Sequence, residues 1–464
     1  MPERAEPLAA RVTGRRLRDR LESWANIDPH LVEVMRDGTI AFVLKIFGSG
    51  CLFVFTVLVS RSFGPSGAGV FFLALTIMMA AVAIGTMGLD TALLRFSAAS
   101  AAHEQWDRLR ALYTTGIRLC LLSSAVVAVA LALSAGWLAS VVFSKPLLAT
   151  PLRVIAIGIV PTSVFTVQAQ VLKGLKRIRE GVFFESAAVA LFAIPLFVTL
   201  RLAHWGSGAA TTAYVGATLL AVVAAAWCVH HFAPPWGSRL RLDRPQRRLL
   251  LKTSFPLLVV SGMSLVMSST GVALLGVFRD TRTVGIYAAA ARTAVLISWV
   301  LVSANAVVAP KFAALYAAGD MDAFVHVARR TARAATLLVL PPFLCLMVAP
   351  SLVLRLFGPD FRSGATALII MSVGQLVNVA TGSVGYILMM TGNERSMRDA
   401  TIVAGLLNVV LQVIFIPAFG LLGAAVATAI SLATLNVLSA ALVFRRLGVV
   451  IWPLPYRPPL AKTA

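Results

Sequence analysis

Long apolar runs dominate the chain, and short polar or basic segments separate them. A helix needs about 20 mainly apolar residues to cross the hydrocarbon core of a bilayer. Twelve runs reach that length: 39–60, 68–89, 112–135, 151–172, 181–201, 210–231, 253–276, 284–308, 332–354, 365–390, 400–417 and 422–444. The third and ninth are the hardest to end, because apolar residues continue to Phe143 and Leu356. Those extensions read either as short interfacial helices or as longer, tilted spans. The runs are continuous and rich in Leu, Ala and Val, unlike the short alternating segments of an outer-membrane barrel. The pattern predicts an all-α polytopic membrane protein with twelve transmembrane helices.

Composition sharpens this. Of the 464 residues, 59% are hydrophobic and 13% charged, whereas a soluble domain carries about 25% charged residues. That excludes an ordinary cytosolic enzyme, a secreted disulfide domain and a disordered protein. The formal charge of +22 would suggest nucleic acid in a soluble protein. Here the cations sit between apolar runs, where they set topology or meet anionic lipid headgroups; no nucleic-acid partner is expected. With the amino terminus inside, and with a cation in the first or last three residues of a run counted with the adjoining loop, the cytoplasmic segments hold 30 Lys and Arg, the outer loops 8, and Lys45, Arg118 and Arg292 fall deeper within spans. This positive-inside bias predicts both termini in the cytoplasm. Residues 1–37 lack the short hydrophobic core and cleavage site of a signal peptide. Leu17–Met35 reads equally as a short amphipathic surface helix or a solvated tail. Cys51, Cys120, Cys228 and Cys345 lie in apolar stretches with no ligand spacing, so neither a metal site nor a disulfide framework is expected.

The two halves of the chain resemble each other at a shift of about 216 residues. Gly69 aligns with Gly285, and Arg95-Phe96 with Lys311-Phe312. At a shift of 218, Leu172-Lys173-Gly174 falls beside Thr391-Gly392. An even number of spans per half implies two six-helix lobes related by a pseudo-twofold along the membrane normal. The expected division is 1–37, a cytoplasmic amino-terminal segment; 38–231, the first lobe; 232–252, a basic linker with Pro234, Pro235 and Pro245; 253–446, the second lobe; and 447–464, a cytoplasmic tail. Such a duplicated scaffold suits alternating access, and it also occurs in proteins that transport nothing.

Several turns carry a family resemblance. They are Phe63-Gly64-Pro65 with Gly67 and Gly69, then Thr283-Val284-Gly285-Ile286-Tyr287, Leu356-Phe357-Gly358-Pro359, Thr391-Gly392-Asn393, and Pro417 with Phe419-Gly420 and Gly423-Ala424-Ala425. In their order across roughly residues 38–446 the chain resembles the Wzx-type polysaccharide and O-antigen flippases of the multidrug/oligosaccharidyl-lipid/polysaccharide (MOP) exporter superfamily. The resemblance implies a MATE-like V-shaped cavity between two lobes in a bacterial cytoplasmic membrane. It implies a flippase, not an enzyme, that moves lipid-linked oligosaccharide, usually on undecaprenyl pyrophosphate, to the outer leaflet during surface polysaccharide or lipopolysaccharide synthesis. Membrane lipids, a polysaccharide polymerase and glycosyltransferases are the implied partners. No cofactor is implied, and coupling to sodium, protons or the membrane potential stays open.

Charge inside the spans is the main clue to a site. An unpaired basic group at mid-bilayer is costly and tends to face a cavity or a partner. Arg292 lies deepest; Lys45 and Arg118 enter from the basic side, and all three have stems long enough to snorkel. Arginine would meet pyrophosphate oxygens through paired, charge-assisted hydrogen bonds. Asn305, Gln375, Asn378 and Asn408 bind either neighbouring helices or sugar hydroxyls, and the first three join the candidate substrate-binding set. Ser264, Ser268, Ser269 and Thr270 form a small polar patch in the seventh span. Acids are scarce: Asp90 and Glu185 lie at span ends, and Leu257 to Phe278 holds none. That disfavours a sodium- or proton-coupled multidrug exporter, which remains the alternative beside a peptidoglycan-precursor flippase. A membrane glycosyltransferase would need catalytic groups on a large loop, and the expected outer loops are short. A purely structural membrane protein is the remaining class. No Gly-Lys-Ser/Thr phosphate loop supports direct use of ATP.

Overall fold

The computed structural model describes residues 29–232 and 244–451. Residues 1–28, most of the expected linker 232–252 and residues 452–464 of the expected tail lie outside the described residues, as does the first part of Leu17–Met35.

The described chain is helical. Its first half runs through α1 (Pro29–Thr86), α2 (Leu89–Ala102), α3 (Trp106–Trp137), α4 (Ala149–Gly174), α5 (Ile178–Ser186), α6 (Ala188–Leu202) and α7 (Ala209–Phe232). The second half holds α8 (Arg244–Phe278), α9 (Thr281–Val295), α10 (Trp299–Ala317), α11 (Met321–Val348), α12 (Pro350–Leu354), α13 (Ala365–Ala380), α14 (Val384–Met390) and α15 (Glu394–Leu447).

Among the described residues, 8 helices are long and apolar enough to cross a membrane, or 9 if the bent pair α5–α6 counts as one. The expected twelve exceeds this count because several spans are not separate helices. The expected spans 39–60 and 68–89 merge into α1, which is interrupted at Gly64, where φ is 63° and ψ −176°. The expected spans 400–417 and 422–444 merge into α15, interrupted at Gly420 with φ 55° and ψ −123°. Side chains rarely tolerate positive φ, so glycine is the residue that allows these interruptions. The apolar stretch of the 54-residue α15 is far longer than one crossing requires. The seventh expected span is represented by the shorter apolar stretch Gly262–Phe278 within α8. The extensions past the third and ninth runs resolve differently. Leu138–Val142 continues α3 as a π-helical turn, whereas α12 starts anew after a break at Ala349.

The helices present apolar side chains both inward and outward. Leu133, Leu147 and Val348 are more than 80% exposed, which is tolerable only where lipid replaces water. The largest buried cluster joins both halves: Phe55, Phe71 and Phe72 of α1 belong to it with Tyr214 of α7 and Tyr287 of α9. Phe55 meets Phe71 and Phe197 edge-on, with centroids 5.8 and 5.9 Å apart. Helix α9 packs along α1, and α8 along α15. The seam between the halves therefore runs beside α1, α8 and α9.

Candidate functional site

Two adjoining cavities occupy that seam. One, of about 430 Å³, is lined by α1, α7, α8, α9 and α10. The other, of about 370 Å³, extends it toward the basic ends of the first-half helices and shares Leu52, Met79, Tyr214 and Leu265.

Arg292 of α9 is the only charged residue among those lining the larger cavity. It is half-buried. Its Nη1 donates a 2.7 Å hydrogen bond to Thr56 Oγ1. Thr56 in turn donates to Leu52 O at 2.8 Å. The Arg292 guanidinium lies 4.2 Å from the centre of the Phe72 ring, a cation–π arrangement. Among the described residues no carboxylate forms an ion pair with it. Thr56 and Phe72, both from α1, thus hold a second-half cation through uncharged partners. Among the described residues no carboxylate pairs with this charge, and the residue lines the cavity. Ser49, Thr76, Ser268, Ser269 and Tyr287 supply hydroxyls around it. Such a wall can bind an anion through the guanidinium and neutral oxygens through the hydroxyls.

The lower cavity has a different character. Asp90 and Glu185 line it together with Thr86, Thr162 and Thr166. Lys173 forms an ion pair with Glu185, the pairing with the neighbouring basic loop that the sequence permits. Burial pushes the Asp90 carboxyl above the ordinary carboxylate range. The Thr162 hydroxyl is buried and finds no hydrogen-bond partner among the described residues.

The other sequence candidates do not join Arg292. Lys45 and Arg118 sit on exposed helix faces and line neither cavity. Asn305 is buried in α10 with its Oδ1 unpartnered among the described residues. Gln375 accepts a 3.3 Å hydrogen bond from Asn378 Nδ2 within α13. Asn408 is buried in α15. None of these four lines either cavity. Sequence reasoning missed Thr56, Phe72 and Tyr214. The one usable signal was Tyr214, a polar-tipped aromatic within an apolar run.

Close contacts between the two halves flank the cavity at both ends. On the face predicted to be external, Gly69 of α1 meets the start of α9. A Cβ there would strike the Thr281 carbonyl oxygen, and one on Gly285 would strike that of Pro65. The contact is reciprocal between positions that the internal repeat pairs. Arg61 Nε adds a 2.7 Å hydrogen bond to Leu356 O, Phe53 meets Phe357 edge-on at 5.4 Å, and Lys145 Nζ donates to Gly276 O. Burial lowers the proton affinity of Lys145. At the basic end, Gly88 lies against the α8 backbone at Ser254 and Leu258.

Comparison with known proteins places this architecture. The sequence model of the family described as "Polysaccharide biosynthesis protein" matches residues 34–316. The chain is 24% identical over 421 residues to the "Probable low-salt glycan biosynthesis flippase Agl15" of Haloferax volcanii, covering 88% of this chain and 83% of that protein. The solved structure titled "Lipid II flippase MurJ, inward closed conformation" superposes with a TM-score of 0.71 at 15% identity, covering 86% of each chain. An inward-facing multidrug resistance MATE family transporter of the MOP superfamily gives 0.68 at 15% identity, over 89% of this chain and 98% of that one. At such identities the structural likeness speaks for the fold.

Proposed function

The chain belongs to the polysaccharide biosynthesis protein family of the MOP exporter superfamily, and from that membership we propose that it flips an anionic lipid-linked oligosaccharide from the inner to the outer leaflet by alternating access. The observation that carries this reading is Arg292: a cation with no carboxylate partner among the described residues, set in the wall of the cavity between the halves. Holding an unpaired cation there costs at least about 2.5 kcal/mol on membrane-insertion scales. A pyrophosphate linkage would offset that cost through charge-assisted hydrogen bonds, and the surrounding hydroxyls suit sugar oxygens.

The same reading takes α1 and α15 as two crossings each, reversed at Gly64 and Gly420, and the α5–α6 pair and Gly262–Phe278 as one each. That yields twelve crossings in two lobes, 38–231 and 253–446, with the basic face in the cytoplasm of a bacterial inner membrane.

A second reading has its own support. The lower cavity holds Asp90, which suits a cationic cargo or a coupling ion, beside Glu185, which is paired with Lys173. The solved folds that resemble the chain are titled as a lipid II flippase and a multidrug transporter. Reconstitution into proteoliposomes decides between them. The panel is a pyrophosphate-linked glycan lipid, lipid II and a cationic dye. Flipping of the glycan lipid supports the first reading; transport of the dye alone overturns it.

A further inference from the structure

A second amphipathic recess lies away from the transport cavity. It is a groove of about 760 Å³ between α10 and α11, closed on one side by Phe42 of α1. It shares no lining residue with either central cavity. Its deeper half is apolar, formed by Val300, Ala304 and Leu338. Its basic end carries Lys311 and Arg330. Arg330 and Ala334 also line an adjoining recess that adds His326, Arg329 and Arg333. Arg330 and Arg333 stand three residues apart, close to one helical face. Arg329 Nε donates to Val450 O at 3.0 Å, which fixes the start of this array. Among the described residues that line the two recesses, Asp322 is the only acid against four Lys and Arg.

From Arg330 to Leu338 the groove follows α11 for about 12 Å, at 1.5 Å per residue. It thus passes from a cationic mouth to an apolar floor within the depth of one leaflet. Leu337 and Leu338 are 63% and 66% exposed beside it. The positive-inside rule explains why cations sit on this side of the membrane. It does not explain why they converge on the mouth of one apolar groove.

We propose that this groove is a binding site for an anionic membrane phospholipid of the leaflet on the basic side. Its phosphodiester lies at Lys311 and Arg330, with Arg333 of the adjoining recess beside them, and one acyl chain lies along Val300, Ala304 and Leu338. A free phosphate would leave the apolar floor uncovered, and a zwitterionic lipid would bring no net charge to the array. Because Phe42 comes from the first half and the cations from the second, a bound lipid bridges the two halves. The site is independent of the cargo assigned to Arg292.

The test is native mass spectrometry of the full-length detergent-solubilised protein titrated with phosphatidylglycerol or phosphatidylcholine. Wild type should keep one phosphatidylglycerol under activation that strips phosphatidylcholine. Changing Lys311, Arg330 and Arg333 together to Gln should weaken that lipid by roughly a hundredfold, since each cation near an anionic surface is worth somewhat under one factor of ten. Changing Arg445 and Arg446, exposed at the far end of α15, to Gln should leave it in place. If the triple variant does not stay monodisperse, Arg330→Gln alone should weaken binding and Arg330→Lys should keep most of it. Equal retention of both lipids by wild type, or unchanged retention by the Gln variants, overturns the proposal.

Discussion

Arg292 was legible as a candidate because a charge within an apolar run is expensive wherever it falls. Its surroundings were not. Thr56 and Phe72 lie more than 200 residues away in the chain, and only tertiary packing brings them beside it. Lys45 and Arg118 carried the same sequence signal but sit on exposed helix faces, where a long stem lets the charge reach the interface. The signal therefore identifies an expensive residue without saying which way it points. The geometry yields a prediction for the positioning of Arg292. Thr56→Val removes the 2.7 Å hydrogen bond at nearly constant volume. The donor is charged, so this bond is charge-assisted and contributes at least about 1.5 kcal/mol, and reconstituted flipping should fall by roughly tenfold. Arg292→Lys should fall further, because it keeps the charge but loses the planar fork. A Thr56→Val protein that flips at the wild-type rate would show that this contact does not orient the guanidinium.

Helix breaks were partly readable. Gly64-Pro65 and Gly420 stood out as turn chemistry, and the chain does leave helical geometry at both glycines. The break at Ala187, between α5 and α6, had no such mark. It lies where Gly48 of α1 comes up against the backbone of Ser186 and Ala187, a constraint from a distant helix. The glycine pair at the external end is more informative. Gly69 and Gly285 align in the internal repeat, and each receives a backbone carbonyl from the other's helix. A methyl group at either position has no room in this closed arrangement. Gly69→Ala should therefore favour opening at that face, by about the 1–3 kcal/mol typical of overpacking. An impermeant maleimide applied from that side should label a cysteine placed at Ser269, in the cavity wall, faster in the Gly69→Ala background. Slower or equal labelling would mean that this contact is not what closes the face.

At the scale of the whole molecule, hydropathy and charge made the membrane class plain, because 59% apolar residues with 13% charged cannot coat a soluble protein. The cavity was not legible, since its wall draws on five helices from both halves. The charge bias predicts that the termini and the segment 232–252 share one side of the membrane. Cysteines introduced there should resist impermeant reagents in intact cells and react once the cells are opened. Labelling of any of them from outside would break the proposed topology. The central claim is that the chain flips an anionic lipid-linked glycan by way of Arg292. Its most direct test compares wild type with Arg292→Gln at matched reconstitution, reading the outer-leaflet appearance of a fluorescent polyprenyl-pyrophosphate-linked oligosaccharide. Losing a charge-assisted hydrogen bond of about 1.5–3 kcal/mol should slow flipping by roughly tenfold to over a hundredfold while membrane insertion stays intact. Equal rates for the two proteins would contradict the account.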